Sequence, residues 1–341
     1  DYYLTYVNYV FKYFSEYVKL WITMNEPWTF CVEGYGDGVH APGRCSNRSF
    51  CQYGNSSTEP YLCAHNVLIS HGKAVQLFRS KYNTDNSGKI GITLNSNWGV
   101  PASTPNNVNY SADVNATERY VLWQVGWFFD PIFFGDYPAL MREYIGDRLP
   151  TFTSEQQSMI MNSYDFYGLN HYTTYYVAND PDWASKEPTW YTDQRDLNGG
   201  YNQYNGSAIG TPCDSDWLFD VPYGIYYMIQ YISERYNYPD IYVTENGVDI
   251  PNANNLPINE ALNDTFRINF YSGYLSYLLN AINDGYKVRG YFAWSLMDNF
   301  EWADGYRRRF GIHYVDYNSP DLTRYVKQSA YWYANFTKHN P

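Results

Sequence analysis

Two short runs in this chain share one grammar, and together they restrict the folds open to it. Ile241-Tyr-Val-Thr-Glu-Asn-Gly247 is a β-branched run that stops on a carboxylate and a turn pair, so Glu245 falls at the carboxyl end of a strand. Leu20-Trp-Ile-Thr-Met-Asn-Glu-Pro27 is likewise apolar and β-prone, and delivers Glu26 just before a proline that cannot continue a hydrogen-bonded ladder. Glutamates at two strand ends, far apart along the chain, become neighbours only in a fold that gathers distant strand ends on one rim. A parallel (β/α) barrel does that. A carboxylate pair on such a rim suits hydrolysis of a glycosidic bond, one group protonating the leaving oxygen while the other attacks the anomeric carbon.

Thr23-Met-Asn-Glu-Pro27 and Thr244-Glu-Asn-Gly247 resemble the T-x-N-E-P and T-E-N-G signatures of the family 1 glycoside hydrolases, the β-glucosidase family, and stand in the family's order. The resemblance implies a TIM (β/α)8 barrel and a retaining β-glucosidase, with Glu26 as acid/base and Glu245 as nucleophile. It implies neither metal nor cofactor, and as partner a small O-linked β-D-glucoside, with β-galactosides and β-fucosides as further candidates. Glutamate at position 26, where similar plant thioglucosidases have Gln, favours an oxygen-linked aglycone. Tyr172, in Asn170-His-Tyr172, matches the family's hydroxyl donor to the nucleophile; the family more often has Tyr at position 171, and His171 reads as a packing variant.

Asn25 and Asn170 are sugar-binding by the same resemblance, a turn role before Pro27 being the alternative for Asn25. In Trp294-Ser-Leu-Met-Asp-Asn-Phe-Glu-Trp302, the tryptophans Trp294 and Trp302 resemble sugar-stacking rings and Glu301 the acceptor for the 4- and 6-hydroxyls. An acid between Phe300 and Trp302 is costly to bury unless polar partners such as sugar hydroxyls satisfy it. Glu301 and Arg307-Arg-Arg-Phe310 depart from the pattern of phospho-sugar members, so 6-phosphoglucosides are disfavoured; the three arginines read as structural. Trp217 resembles the ring that stacks on the aglycone, with core packing as its alternative, and packing is the preferred reading for Trp127. The spacing of Cys45 and Cys51 resembles the loop disulfide of plant-type members, which leaves Cys31, Cys63 and Cys213 expected as free or buried thiols. A transglucosidase, a thioglucosidase and a non-catalytic sugar-binding fragment are the rival readings.

Charge and composition narrow the partners. Acidic residues outnumber basic ones, 35 to 23, which argues against nucleic acid. No apolar run is long enough to span a bilayer, so no membrane segment is expected. Histidines are scattered, and His65 and His71 are off a common helical face, so no metal set is expected. Sequons at Asn47, Asn55, Asn109, Asn115, Asn205, Asn263 and Asn335 lean towards a secretory route, and hence a product that is extracellular, vacuolar or held in the endoplasmic reticulum. Forty tyrosines suit a sugar cleft, where ring faces meet pyranose C–H faces, as well as a core.

Read in order, the chain alternates strands with helices, the signature of a parallel sheet. Strands are expected at 19–25, 89–95, 164–172, 240–245 and 287–296, and helices at 2–18, 60–82, 113–129, 138–145, 222–236, 258–284 and about 320–337. An aperiodic excursion runs from about Asn179 to Asp220. Residues 1–341 thus read as one catalytic domain holding the last five βα units of the barrel. In the family about three such units precede the T-x-N-E-P strand, so an amino-terminally truncated chain, or one piece of a noncovalent assembly, is expected. Five strands alone would leave two unpaired edges.

Overall fold

The computed structural model describes residues 1–197 and 203–339; residues 198–202, inside the long excursion, lie outside the described residues. A parallel sheet orders five strands as they occur along the chain: β1 (Leu20–Asn25), β2 (Lys89–Asn95), β3 (Phe166–Asn170), β4 (Ile241–Gly247) and β5 (Val288–Trp294). Parallel neighbours need long crossovers. After α1 (Tyr2–Phe14), which precedes β1, these are built from α2 (Pro27–Tyr35), α3 (Glu59–Leu77), α4 (Tyr110–Val121), α5 (Trp127–Phe134), α6 (Ala139–Ile145), α7 (Ser154–Ile160), α8 (Tyr223–Arg235) and α9 (Thr265–Asn283); α10 (Gln328–His339) follows β5.

The middle strands are dry. All five residues of β3 are buried, as expected of a parallel strand covered on both faces. The core between sheet and helices holds Trp123, Trp127, Phe128, Phe129, Tyr167 and Tyr236. Many of the tyrosines are accommodated here because their hydroxyls find acceptors: Tyr236 donates to Asp130 at 2.7 Å, Tyr274 to the Tyr172 carbonyl at 2.8 Å, and Tyr271 to the Trp294 carbonyl at 3.1 Å.

Several boundaries differ from the sequence expectation. The first helix stops at Phe14, where the backbone N–H and hydroxyl of Ser15 both close on the Phe11 carbonyl. The last helix begins at Gln328 rather than 320: Arg324-Tyr-Val326 pairs antiparallel with His313-Tyr-Val315, so tertiary pairing claims a stretch that helical spacing had suggested. The span 113–129 is two helices joined by a π-helical turn at Leu122–Gly126, and 258–284 is a short helix, Ile258–Ala261, followed by α9. Helix α7 was not expected, although a capping box marks its start: Thr153 accepts from the Gln156 N–H, and the Gln156 side chain accepts from the Thr153 N–H.

Two disulfides are present. Cys45–Cys51 closes a short loop, the pairing the resemblance implied. Cys31–Cys63 corrects the expectation of free thiols: it ties α2 to α3 across 32 residues, a contact that only helix packing creates. Cys213 is unpaired.

Candidate active site

Asn25 ends β1, and Glu26 then takes a left-handed backbone turn, φ 48° and ψ 58°, before Pro27 opens α2. That conformation costs an ordinary residue about 1–2 kcal/mol, offset here by the fixed ring of Pro27, which suits a first helical position. The turn aims the Glu26 carboxyl into a cavity at the carboxyl ends of the strands. Thr29 donates to one carboxyl oxygen at 2.9 Å, and the Asn170 amide to the other at 2.7 Å.

Glu245 lies on β4, held between β3 and β5. Its carboxyl accepts the Tyr172 hydroxyl at 2.7 Å, and its backbone carbonyl accepts the His171 N–H at 3.0 Å. Gly247 ends the strand because a Cβ there would strike the Trp294 carbonyl; only glycine lets β5 come this close. Asn246 fixes the strand from below, donating to the His171 carbonyl and accepting from Tyr291, each at 2.7 Å.

Asn170, at the end of β3, connects the two runs. Its amide N–H donates to Glu26 and to Asn25, and its oxygen accepts from Thr244 at 2.6 Å. It also lowers the proton affinity of Glu245, so the two carboxyls flank a single amide.

The cavity measures about 640 Å³, within the range for a small-ligand pocket. It brings together Glu26, Glu245, Tyr172, Trp217, Trp294, Glu301 and Trp302 of the residues expected from sequence. Trp294 donates its indole N–H to Glu301 at 3.3 Å. Trp302 is 65% exposed and stacks on His40, and Trp217, 42% exposed, stands edge-on to Tyr172 at the mouth instead of packing into the core. Asn25 and Asn170 are not in its lining: Asn25 is exposed beside it, while Asn170 is fully buried and engages Glu26, Asn25 and Thr244. Trp127 is wholly buried against Tyr61 and Trp190. His171 is buried, its Nδ1 bonded to the Ser96 carbonyl at 2.8 Å, and burial holds its pKa down at about 4, so it is a neutral packing residue.

Electrostatically the cavity is a nest of carboxyls. Burial raises the pKa of Glu26, against the pull of Asn170 and Thr29. Burial also raises that of Glu245, followed by repulsion from Glu26 and countered by Tyr172 and Asn170. Two like charges this close resist joint ionisation, so the pair retains a proton above the usual carboxylate range. Tyr172 is pushed far above its ordinary value by burial and by these neighbours, and so keeps its proton to donate. Burial lifts Glu301 to about 7.

Residues that the motifs did not flag complete the wall. Glu33, on α2, is lifted to about 7 by burial and by Asp37 and Glu26, and pairs with His40 Nδ1 at 2.9 Å. Thr29 stands three residues after Glu26 in the first helical turn, a spacing that could have revealed it. His40 has no such local signal. The three arginines are all paired, but not all at the surface: Arg307 with Asp304, Arg308 with Asp214, and Arg309, buried, with buried Asp298.

Comparison with known proteins bears on this arrangement. The description Glycosyl hydrolase family 1 matches residues 1–341. The chain belongs to that family. It is 46% identical over 337 residues to Beta-glucosidase 24 of Oryza sativa subsp. japonica, covering 98% of this chain and 65% of the rice protein. The crystal structure of rice Os3BGlu6 beta-glucosidase superposes with a TM-score of 0.91 at 42% identity, over 97% of this chain and 69% of that one. A glutamate-to-glutamine mutant of the same rice enzyme, in a covalent complex with glucose, superposes equally well at 41% identity, with the same coverage. The fold matched is the family 1 TIM barrel, and the chain spans just under two thirds of the curated rice relative.

Proposed function

We propose that this chain carries the catalytic machinery of a retaining β-glucosidase acting on O-linked β-D-glucosides. The observation that carries the reading is the carboxyl pair: Glu245 under the Tyr172 hydroxyl and Glu26 under Asn170 and Thr29, both facing one cavity. Named β-glucosidase relatives and the covalent glucose complex of the rice mutant support it.

In this reading Glu26 begins protonated. Its Thr29 partner can accept as readily as donate, so Glu26 keeps a hydrogen bond in either protonation state. Glu245 begins ionised, its charge held by the Tyr172 hydroxyl. Glu26 protonates the glycosidic oxygen as Glu245 attacks the anomeric carbon, and the aglycone leaves as an alcohol. The ester at Glu245 carries no charge, so the pKa of Glu26 falls and it can take a proton from water. Attack by that water frees the sugar with its original configuration. Trp294, Glu301 and Trp302 hold the glucosyl unit, Asn25 its 2-hydroxyl, and Trp217 the aglycone. Asn170 acts as a positioning residue for the acid.

The open edges of the sheet support a second part of the proposal: further βα units pair with β1 and β5 and close an eight-stranded barrel. A secretory route is supported by two disulfides and by seven sequon asparagines that are all exposed.

The test is turnover of a nitrophenyl β-glucoside by the Glu245→Ala variant. Hydrolysis should vanish, and azide should restore release of nitrophenol with an inverted, α-configured glucosyl azide. Hydrolysis persisting in the variant would remove Glu245 from the chemistry.

A further inference from the structure

A second concavity lies apart from the cleft, between strand Trp98–Pro101 and helices α4, α8 and α9, and measures about 1680 Å³. That exceeds the roughly 300–1,000 Å³ of a small-ligand pocket, and suits an extended ligand. Its lining includes nothing from β1, β5, α1 or α10, so it is not surface laid bare by the open sheet edges.

Its chemistry is mainly aromatic, with two carboxylates, Glu118 and Asp284, also in the lining. Tyr223, Tyr227, Tyr231 and Tyr277 line it, and among the described residues their hydroxyls have no hydrogen-bond partner, unlike Tyr226, which donates to Asp284. Trp98 stacks on Tyr227 with ring centroids 5.9 Å apart. The guanidinium groups that reach the groove are occupied, Arg119 by Asn179 and the Gln194 carbonyl, Arg235 by Asp130. Flat rings with free hydroxyls and no free cation match a neutral, hydroxyl-rich ligand such as an oligosaccharide.

The wall on α4 supplies an attachment point. Asn115 is exposed, lines the groove, and opens the sequon Asn115-Ala-Thr117. We propose that this groove seats an N-linked glycan carried on Asn115, its first sugars lying across the tyrosine rings. In the attachment step the Asn115 amide nitrogen attacks the anomeric carbon of a lipid-diphosphate-linked oligosaccharide. The N–C bond forms, the C–O bond to the diphosphate breaks, the amide loses one proton, and the lipid diphosphate departs. The proposal rests on the secretory route inferred above and is independent of the glucosidase reading.

The experiment secretes the full chain from a eukaryotic host that adds oligomannose glycans. Native protein is treated with an endoglycosidase, and each site is read by glycopeptide mass spectrometry. Asn115 should be occupied, and its glycan trimmed at least about tenfold more slowly than those at Asn47 and Asn55, the factor that about 1.4 kcal/mol of contact gives. The difference should disappear after denaturation, and Tyr227→Ala should remove it in the folded protein without changing glucoside turnover. If Tyr227→Ala fails to fold, the comparison among sites in the wild type decides alone. Occupied Asn47 and Asn55 with Asn115 empty, or equal trimming at all three, would overturn the proposal and leave the secretory route intact.

Discussion

The middle of the sheet and its two margins are made of the same kinds of residue and meet opposite fates. In β2, β3 and β4, Ile92, Leu94, Tyr167, Leu169, Ile241 and Val243 are shielded completely or nearly so. In β1 and β5, Leu20 is 47% exposed, Ile22 43% and Phe292 55%. Residue type does not explain the difference; the number of neighbouring strands does. The candidate site straddles this boundary. Glu245 sits on β4 with a strand bonded on each side, whereas Glu26 and the Trp294–Trp302 run hang from margins with one neighbour each. The geometry of the proposed nucleophile is therefore fixed by strands on both sides, and the proposed acid and sugar-binding half leans on the margins.

Substitutions can sharpen or break that contrast. The largest effect is expected at the proposed acid/base on the margin. Glu26→Gln should lower kcat on an alkyl glucoside by about 10³-fold and much less on a dinitrophenyl glucoside, whose leaving group needs no acid. Equal losses on both substrates would place Glu26 outside proton transfer. Next comes closure: adding amino-terminal βα units that pair with β1 and β5 should raise kcat/KM by about 100-fold or more, as margin residues settle into register. An unchanged kcat/KM would show that the margins are already organised.

Stability should follow the same divide. Leu169→Ala, in the middle of the sheet, should cost about 2–5 kcal/mol in urea unfolding, and Ile22→Ala, at the margin, less than about 1 kcal/mol. In the extended protein the Ile22→Ala cost should rise towards the central value. The smallest effect is pH-dependent. Glu33 and Glu301 have folded pKa values raised from 4.5 to about 7, so between these limits the folded state binds more protons than the unfolded state. Stability should then fall as pH rises through this window, and Glu33→Gln should flatten the fall in thermal midpoint between pH 5 and pH 7.5. A midpoint that climbs over the same interval would contradict the buried-carboxyl account.

Legibility from sequence varied with the range of the interaction. Strand β2 was expected at its observed limits, since glycine and polar residues bound a short apolar run. Glu26 and Tyr172 follow strands and Glu245 lies near the end of one, and each belongs to a short motif, so their placement at the strand ends was legible. The Arg324–Val326 strand was misread because a three-residue pairing partner outweighed helical spacing, and α7 was missed although its capping box lay in the sequence.

What the sequence determined by itself is therefore local: which residues end strands, which carboxylates fall near those ends, and the family to which those runs belong. Tertiary structure alone decided that Cys31 meets Cys63, that Asn170 spans both carboxyls from beneath, that Glu33 and His40 join the cavity wall, and that a tyrosine groove opens beside Asn115. The physical reason is that strand endings and turns are written in neighbouring residues. Packing between helices and across strands joins residues whose separation along the chain follows no period, and their proton affinities depend on the burial that such packing creates.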